Sequence, residues 1–145
     1  MAPILRLSSL FLFGLLAHAA LHAAPPVPLA LDDVFDLEVA GDPRPSPDGK
    51  QIVFERIWMD RQADRARPGL WIMNADGSQL QPLTSRERSA SSPRWSPDGD
   101  RIAYVSGGQI WMRWLDSGRE AQIADLDRSA SDLVFSPDGD TLAFV

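Results

Sequence analysis

The 145-residue chain contains no cysteine. Disulfides, thiolate nucleophiles, cysteine metal sites and a lipid-modified cysteine behind a leader are therefore excluded. Histidine is almost as scarce: there are two, His18 and His22, both near the amino terminus. Basic residues are in deficit, with 14 Lys+Arg against 20 Asp+Glu, the reverse of a nucleic-acid-binding surface. No hydrophobic run is long enough to span a bilayer. No G-x-S-x-G elbow is present.

The first 23 residues read as a secretory signal peptide. Arg6 supplies the positive region and Leu10 to Leu16 a short apolar region. Ala17-His18-Ala19 is one cleavage site and Leu21-His22-Ala23 a second. Cleavage after Ala23 removes both histidines. The mature chain is then secreted or periplasmic, in a bacterium of Gram-negative type, with no membrane attachment.

Three stretches carry one motif: "PSPDGKQIVFE", "WSPDGDRIAYV" and "FSPDGDTLAFV". In Ser-Pro-Asp-Gly, proline presets φ for the second position of a type I turn and Asp suits the third. Glycine takes the left-handed position that closes it. Each turn is followed by a polar residue, a branched apolar, a small apolar and an aromatic. These are Gln51 to Phe54, Arg101 to Tyr104 and Thr141 to Phe144. Such runs predict strands buried on both faces.

Leu70 to Met73 and Ile110 to Arg113 predict third strands, followed by turns at Asn74 to Gly77 and Asp116 to Gly118. Gln81 to Thr84 and Gln122 to Leu126 predict fourth strands, with Pro82 confining its strand to a sheet edge. Four antiparallel strands per repeat predict an all-β fold of β-propeller type.

Spacing supports the repeat. The turn residues Asp48, Asp98 and Asp138 follow at intervals of 50 and 40. Trp71 to Asp98 and Trp111 to Asp138 both span 27 positions. Asp48 to Trp71 spans 23, against 13 for Asp98 to Trp111. The extra ten residues therefore fall within Arg56 to Pro68, between the second and third strands of the first repeat. The expected organisation is a signal peptide over 1–23, then a lead-in with a short helix over 24–42. Blade 1 follows at about 43–84, blade 2 at about 92–126, and blade 3 is begun over 131–145. With about two and a quarter blades, the chain is expected to be the amino-terminal part of a longer protein, because closed propellers have four to eight.

"LDDVFDLE", "DPRPSPDGKQIVF", "LWIMNADGSQLQPLTS" and "SSPRWSPDGDRIAYVS" resemble the start of secreted peptidases of the prolyl oligopeptidase family, including dipeptidyl-peptidase-like and acylaminoacyl-peptidase-like enzymes. The resemblance covers Leu29 to Val145. It implies a propeller that caps a carboxy-terminal α/β-hydrolase domain, here absent, which hydrolyses short peptides with a Ser-Asp-His triad. The resemblance assigns no catalytic residue to this chain and implies no cofactor. Tol-type periplasmic propellers carry similar blades, so a non-catalytic binding propeller acting through protein contacts is the alternative. A propeller attached to a metal-dependent amidohydrolase is a third.

The remaining candidates have structural readings. Asp48, Asp98 and Asp138 read as turn formers, because a calcium loop needs several carboxylates within one turn. In the lead-in, Asp32 or Asp33 can cap a helix whose apolar side is Val34, Phe35 and Leu37. The insertion, with Arg56, Arg61, Arg65 and Arg67 beside Asp60 and Asp64, reads as a solvated loop with local ion pairs. A place over a substrate entrance is its alternative. It has no paired glutamates of the kind that hold a substrate amino terminus in dipeptidyl-peptidase-like relatives. Trp71, Trp95 and Trp111 read as inter-blade packing; Trp58 and Trp114 break the repeat and are expected to be exposed. No metal site is expected, and substrate-binding residues and oligomeric state stay unassigned.

Overall fold

The computed structural model describes residue 28 and residues 30–145. The segment read as a leader, residues 1–23 with both histidines, lies outside the described residues.

Strands β1 (Glu38–Pro45), β2 (Gln51–Asp60), β3 (Arg65–Asn74) and β4 (Gln81–Pro82) form one antiparallel sheet in that order. Strands β5 (Ser91–Trp95), β6 (Arg101–Ser106), β7 (Gln109–Trp114) and β8 (Glu120–Gln122) form a second sheet in the same order. Strands β9 (Val134–Phe135) and β10 (Leu142–Ala143) pair as the start of a third. Among the described residues the fold is all-β, apart from a 3₁₀ turn over Leu31–Asp36. β4 lies at a sheet edge, with Pro82 opposite Trp71.

Each Ser-Pro-Asp-Gly forms the turn its residues dictate. The amide of Gly49 donates to the Ser46 carbonyl at 2.9 Å, Gly99 to Ser96 at 3.0 Å and Gly139 to Ser136 at 2.9 Å. The three glycines have φ of 70°, 75° and 78°, the left-handed region that a side chain would strain. The serine hydroxyl clamps the turn. Ser46 Oγ donates to Asp48 at 2.6 Å and accepts from the Gln51 amide at 3.0 Å. Ser96 and Ser136 repeat both bonds.

The core lies between blades, as period-two alternation requires. From β6, Ile102 and Tyr104 face blade 1 and pack with Val53, Leu70, Ile72, Leu83 and Ala90. Ala103 and Val105 face the other way and pack with Ile110, Met112, Ala130 and Leu133. β6 is thus buried on both faces, whereas on β2 only Val53 is fully buried. Successive turns also stack. A Cβ on Gly99 would lie 3.5 Å from Pro47, and one on Gly139 would lie 3.3 Å from Pro97.

Several expectations are corrected. The insertion is not a solvated loop: β2 and β3 stay in register as far as Asp60 opposite Arg65. The lengthened β2 gives β1 a partner from Glu38 onward, so the first sheet starts ahead of residue 43. Trp58 and Trp114 are half-buried, because Trp58 lies against Gly69 and Trp114 against the second core. Trp71 lies opposite Phe54 on the face of its sheet turned away from blade 2, with Arg56 over its ring. In the lead-in, the Asp33 carboxylate accepts from the Ala30 amide at 2.7 Å, but Val34 and Leu37 are exposed and bury no apolar side.

Candidate functional site

Two regions gather charged and aromatic side chains. The first is on the inner strands. β1 and β5 touch, as do β5 and β9, so these strands converge toward the propeller axis. β1 and β5 each carry one residue in the left-handed region six positions before the turn aspartate, Asp42 at 42° and Ser92 at 55°, and Asp132 at 52° takes the same place just ahead of β9. In β1 and β5 that residue lies in a register shift.

The bulge re-aims the next side chains. Arg94 then donates to Asp42 of blade 1 at 2.9 Å and to the Leu133 carbonyl ahead of blade 3 at 3.1 Å. Arg44 pairs with the same Asp42 at 2.6 Å. Trp95 Nε1 donates to the Arg44 carbonyl at 2.8 Å, and the Ser92 amide to Glu55 at 2.7 Å. One arginine thereby ties together the inner strands of three units. Sequence reasoning did not single out this set, although its six-residue offset from each turn was visible.

The second region is the insertion. Its strands form a hairpin whose tip spans Arg61 to Asp64. Asp60 caps that tip by accepting from the Gln62 and Ala63 amides at 3.0 and 3.1 Å, and pairs with Arg67 at 2.6 Å. These bonds, the Ala63 amide first, hold the Asp60 carboxyl below its ordinary value. Arg61 lies over Phe35 and pairs with Asp36 at 3.2 Å. Arg56 pairs with Glu38 and lies 4.3 Å from the Trp71 ring centroid. In blade 2 the corresponding Trp111 is covered instead by Arg88, at 4.2 Å, which also pairs with Glu120. Arg56 and Arg67 thus have structural partners, while Arg65 is exposed without an ion-pair partner among the described residues.

The turn aspartates are engaged within their own turns. The Ser46 hydroxyl, with the Lys50 amide, holds the Asp48 carboxyl down at about 2. Asp98 and Asp138 are lowered for the same reason, by Ser96 and Ser136. Among the described residues no group of three or more His, Cys, Asp or Glu side chains is placed to hold a metal ion. The described residues include no histidine to act as a base.

Residues 46–145 match the family described as the dipeptidyl peptidase IV (DPP IV) N-terminal region. The chain belongs to that family, and its blades are a dipeptidyl-peptidase-IV-like propeller, similar to those of prolyl oligopeptidase relatives. It is 44% identical over 61 residues to dipeptidyl-peptidase 5 of Porphyromonas endodontalis, covering 42% of this chain and 9% of that protein. It is also 34% identical over 94 residues to the Tol-Pal system protein TolB of Alkalilimnicola ehrlichii, covering 62% of this chain and 21% of that protein. Acylaminoacyl peptidase of Pyrococcus horikoshii shares the fold with a TM-score of 0.61 at 21% identity, over 74% of this chain and 17% of that one. The chain spans about a tenth of the length of the curated peptidases it matches.

Proposed function

We propose that this chain is the propeller part of a secreted serine peptidase that hydrolyses short peptides, with the propeller restricting access to the catalytic domain. The observation that carries the reading is the family match over residues 46–145, together with the dipeptidyl-peptidase 5 likeness. The chemistry agrees with a division of labour. The described blades hold neither a histidine base nor an elbow serine, so catalysis belongs to another part of the polypeptide. The acidic balance fits a peptide-handling protein better than a nucleic-acid-binding one. The leader-like first 23 residues support export to the periplasm or beyond.

The TolB likeness supports a second reading, a binding propeller that works by protein contact. One experiment separates them. The coding sequence is read past the codon for Val145, and the full-length product is treated with a fluorophosphonate probe and short peptides. Labelling of a G-x-S-x-G serine with peptide hydrolysis supports the peptidase. Further blades with no reactive serine and no hydrolysis overturn it in favour of the binding propeller.

A further inference from the structure

We infer that the lengthened β2–β3 hairpin, Ile57 to Pro68, is the surface through which this propeller meets the domain that follows it in the same polypeptide. The inference rests on the proposed reading of the chain as part of a longer peptidase.

Topology places the hairpin. A blade of four antiparallel strands has an even number of crossings, so the chain enters and leaves it at the same end. β1 begins beside Trp58 near the hairpin tip, and β4 runs back toward that end. The Ser-Pro-Asp-Gly turns lie at the opposite end. A domain attached after the last blade therefore starts on the hairpin side of the ring.

Length gives the hairpin its reach. Blade 2 closes the same connection with Gly107 and Gly108 alone, at φ of 60° and 79°. In blade 1 the strands continue from Arg56 opposite Gly69 to Asp60 opposite Arg65. Four more residues per strand carry the tip about 13 Å beyond the level at which blade 2 turns back.

The hairpin is also braced. Trp58 fills the space over Gly69, where a Cβ would meet its ring at 2.8 Å. Arg86 lies 5.2 Å from the centroid of that ring. Asp60 caps the tip, and Arg61 fixes it to the lead-in through Phe35 and Asp36. A surface already held in shape loses little freedom on contact. What it offers outward is mixed in charge: Asp64, held at φ 46°, and Arg65 are both exposed. This fits a domain surface of both signs better than a ligand of one sign.

The test uses the full-length polypeptide carrying Arg65→Cys, labelled with a benzophenone maleimide and irradiated. Asp76→Cys, at an exposed turn on the opposite end, is the control. The expected result is a crosslink from position 65 to a peptide of the following domain, and none to that domain from position 76. Crosslinks from position 65 confined to the blades, or joining two polypeptides, overturn the inference, as does a domain crosslink from position 76 alone. In a second variant Gly-Gly replaces residues 57–68, the connection blade 2 already uses. Its melting temperature reports whether the blades persist, and persistence with unchanged selectivity between short and longer peptides also counts against the inference. A polypeptide that takes no fluorophosphonate label and cleaves no peptide overturns the peptidase reading instead. The crosslink then still reports where the following domain sits.

Discussion

Ser96 shows what one hydroxyl does in these blades. It is fully buried, gives its proton to Asp98 at 2.5 Å and accepts the Arg101 amide at 3.2 Å. Ser96→Ala leaves that amide without its side-chain partner, and is expected to destabilise the protein by about 1–2 kcal/mol in urea titrations. The same clamps set an acid limit. The carboxyl of Asp48 falls from 3.8 to about 2 on folding, and Asp98 and Asp138 shift the same way. A carboxyl depressed by folding contributes stability that is present above its unfolded value and lost as pH falls through the folded one. The urea midpoint should therefore hold steady down to pH 3.8 and decline as pH approaches about 2. Ser46→Ala should reduce the Asp48 part of that decline. A midpoint that begins to fall well above pH 3.8 would show that other groups govern acid unfolding.

At the scale of the element, Gly69 and Arg94 carry the sharpest expectations. Gly69 sits in a regular strand, so its need for glycine comes from the Trp58 ring and not from its backbone. Gly69→Ala should displace that ring and raise its fluorescence quenching by iodide, while the Ser-Pro-Asp-Gly turns stay intact. Arg94→Ala removes the tie among three inner strands and is expected to cost about 2–3 kcal/mol, measured by chemical denaturation. The two elements differ in how far sequence betrays them. Proline, aspartate and glycine each shape a turn by a local mechanism, so the turns and the strands that follow them could be read directly. The hairpin could not, because "RQADRAR" has the composition of a loop and becomes a hairpin only by continuing the ladder of β2 and β3. The left-handed residues recur at a constant offset, but with Asp, Ser and Asp the residue types signal little. The reach of Arg94 across units depends on how the blades sit side by side, which no local pattern encodes.

For the molecule as a whole, the cores between blades matter more than any sheet alone, because each repeat buries its faces only against its neighbours. Tyr104 reports on this directly. It is the only tyrosine, and it is buried between blades 1 and 2. Burial, with the Glu120 carboxylate beside it, pushes its phenol up to about 12 from 10.0. A phenol raised by folding contributes stability that is full below its unfolded value and lost as pH rises through the folded one. Absorbance at the phenolate band should show no ionisation as pH passes 10.0, and then ionisation together with loss of near-ultraviolet dichroism on the way to about 12. Ionisation near 10.0 in a still-folded protein would mean that the two blades do not close over this ring.

The seat between successive turns also bears on how such a molecule lengthens over evolutionary time. The glycine of each later turn rests on the proline of the turn before it, at Gly99 on Pro47 and Gly139 on Pro97, whereas Gly49 meets nothing within 4 Å. Because the joint is the same at every step, recombination between the repeated Ser-Pro-Asp-Gly codons can insert or delete one whole unit and restore an identical joint. A crossover that adds part of a unit leaves a proline or a glycine without its mate.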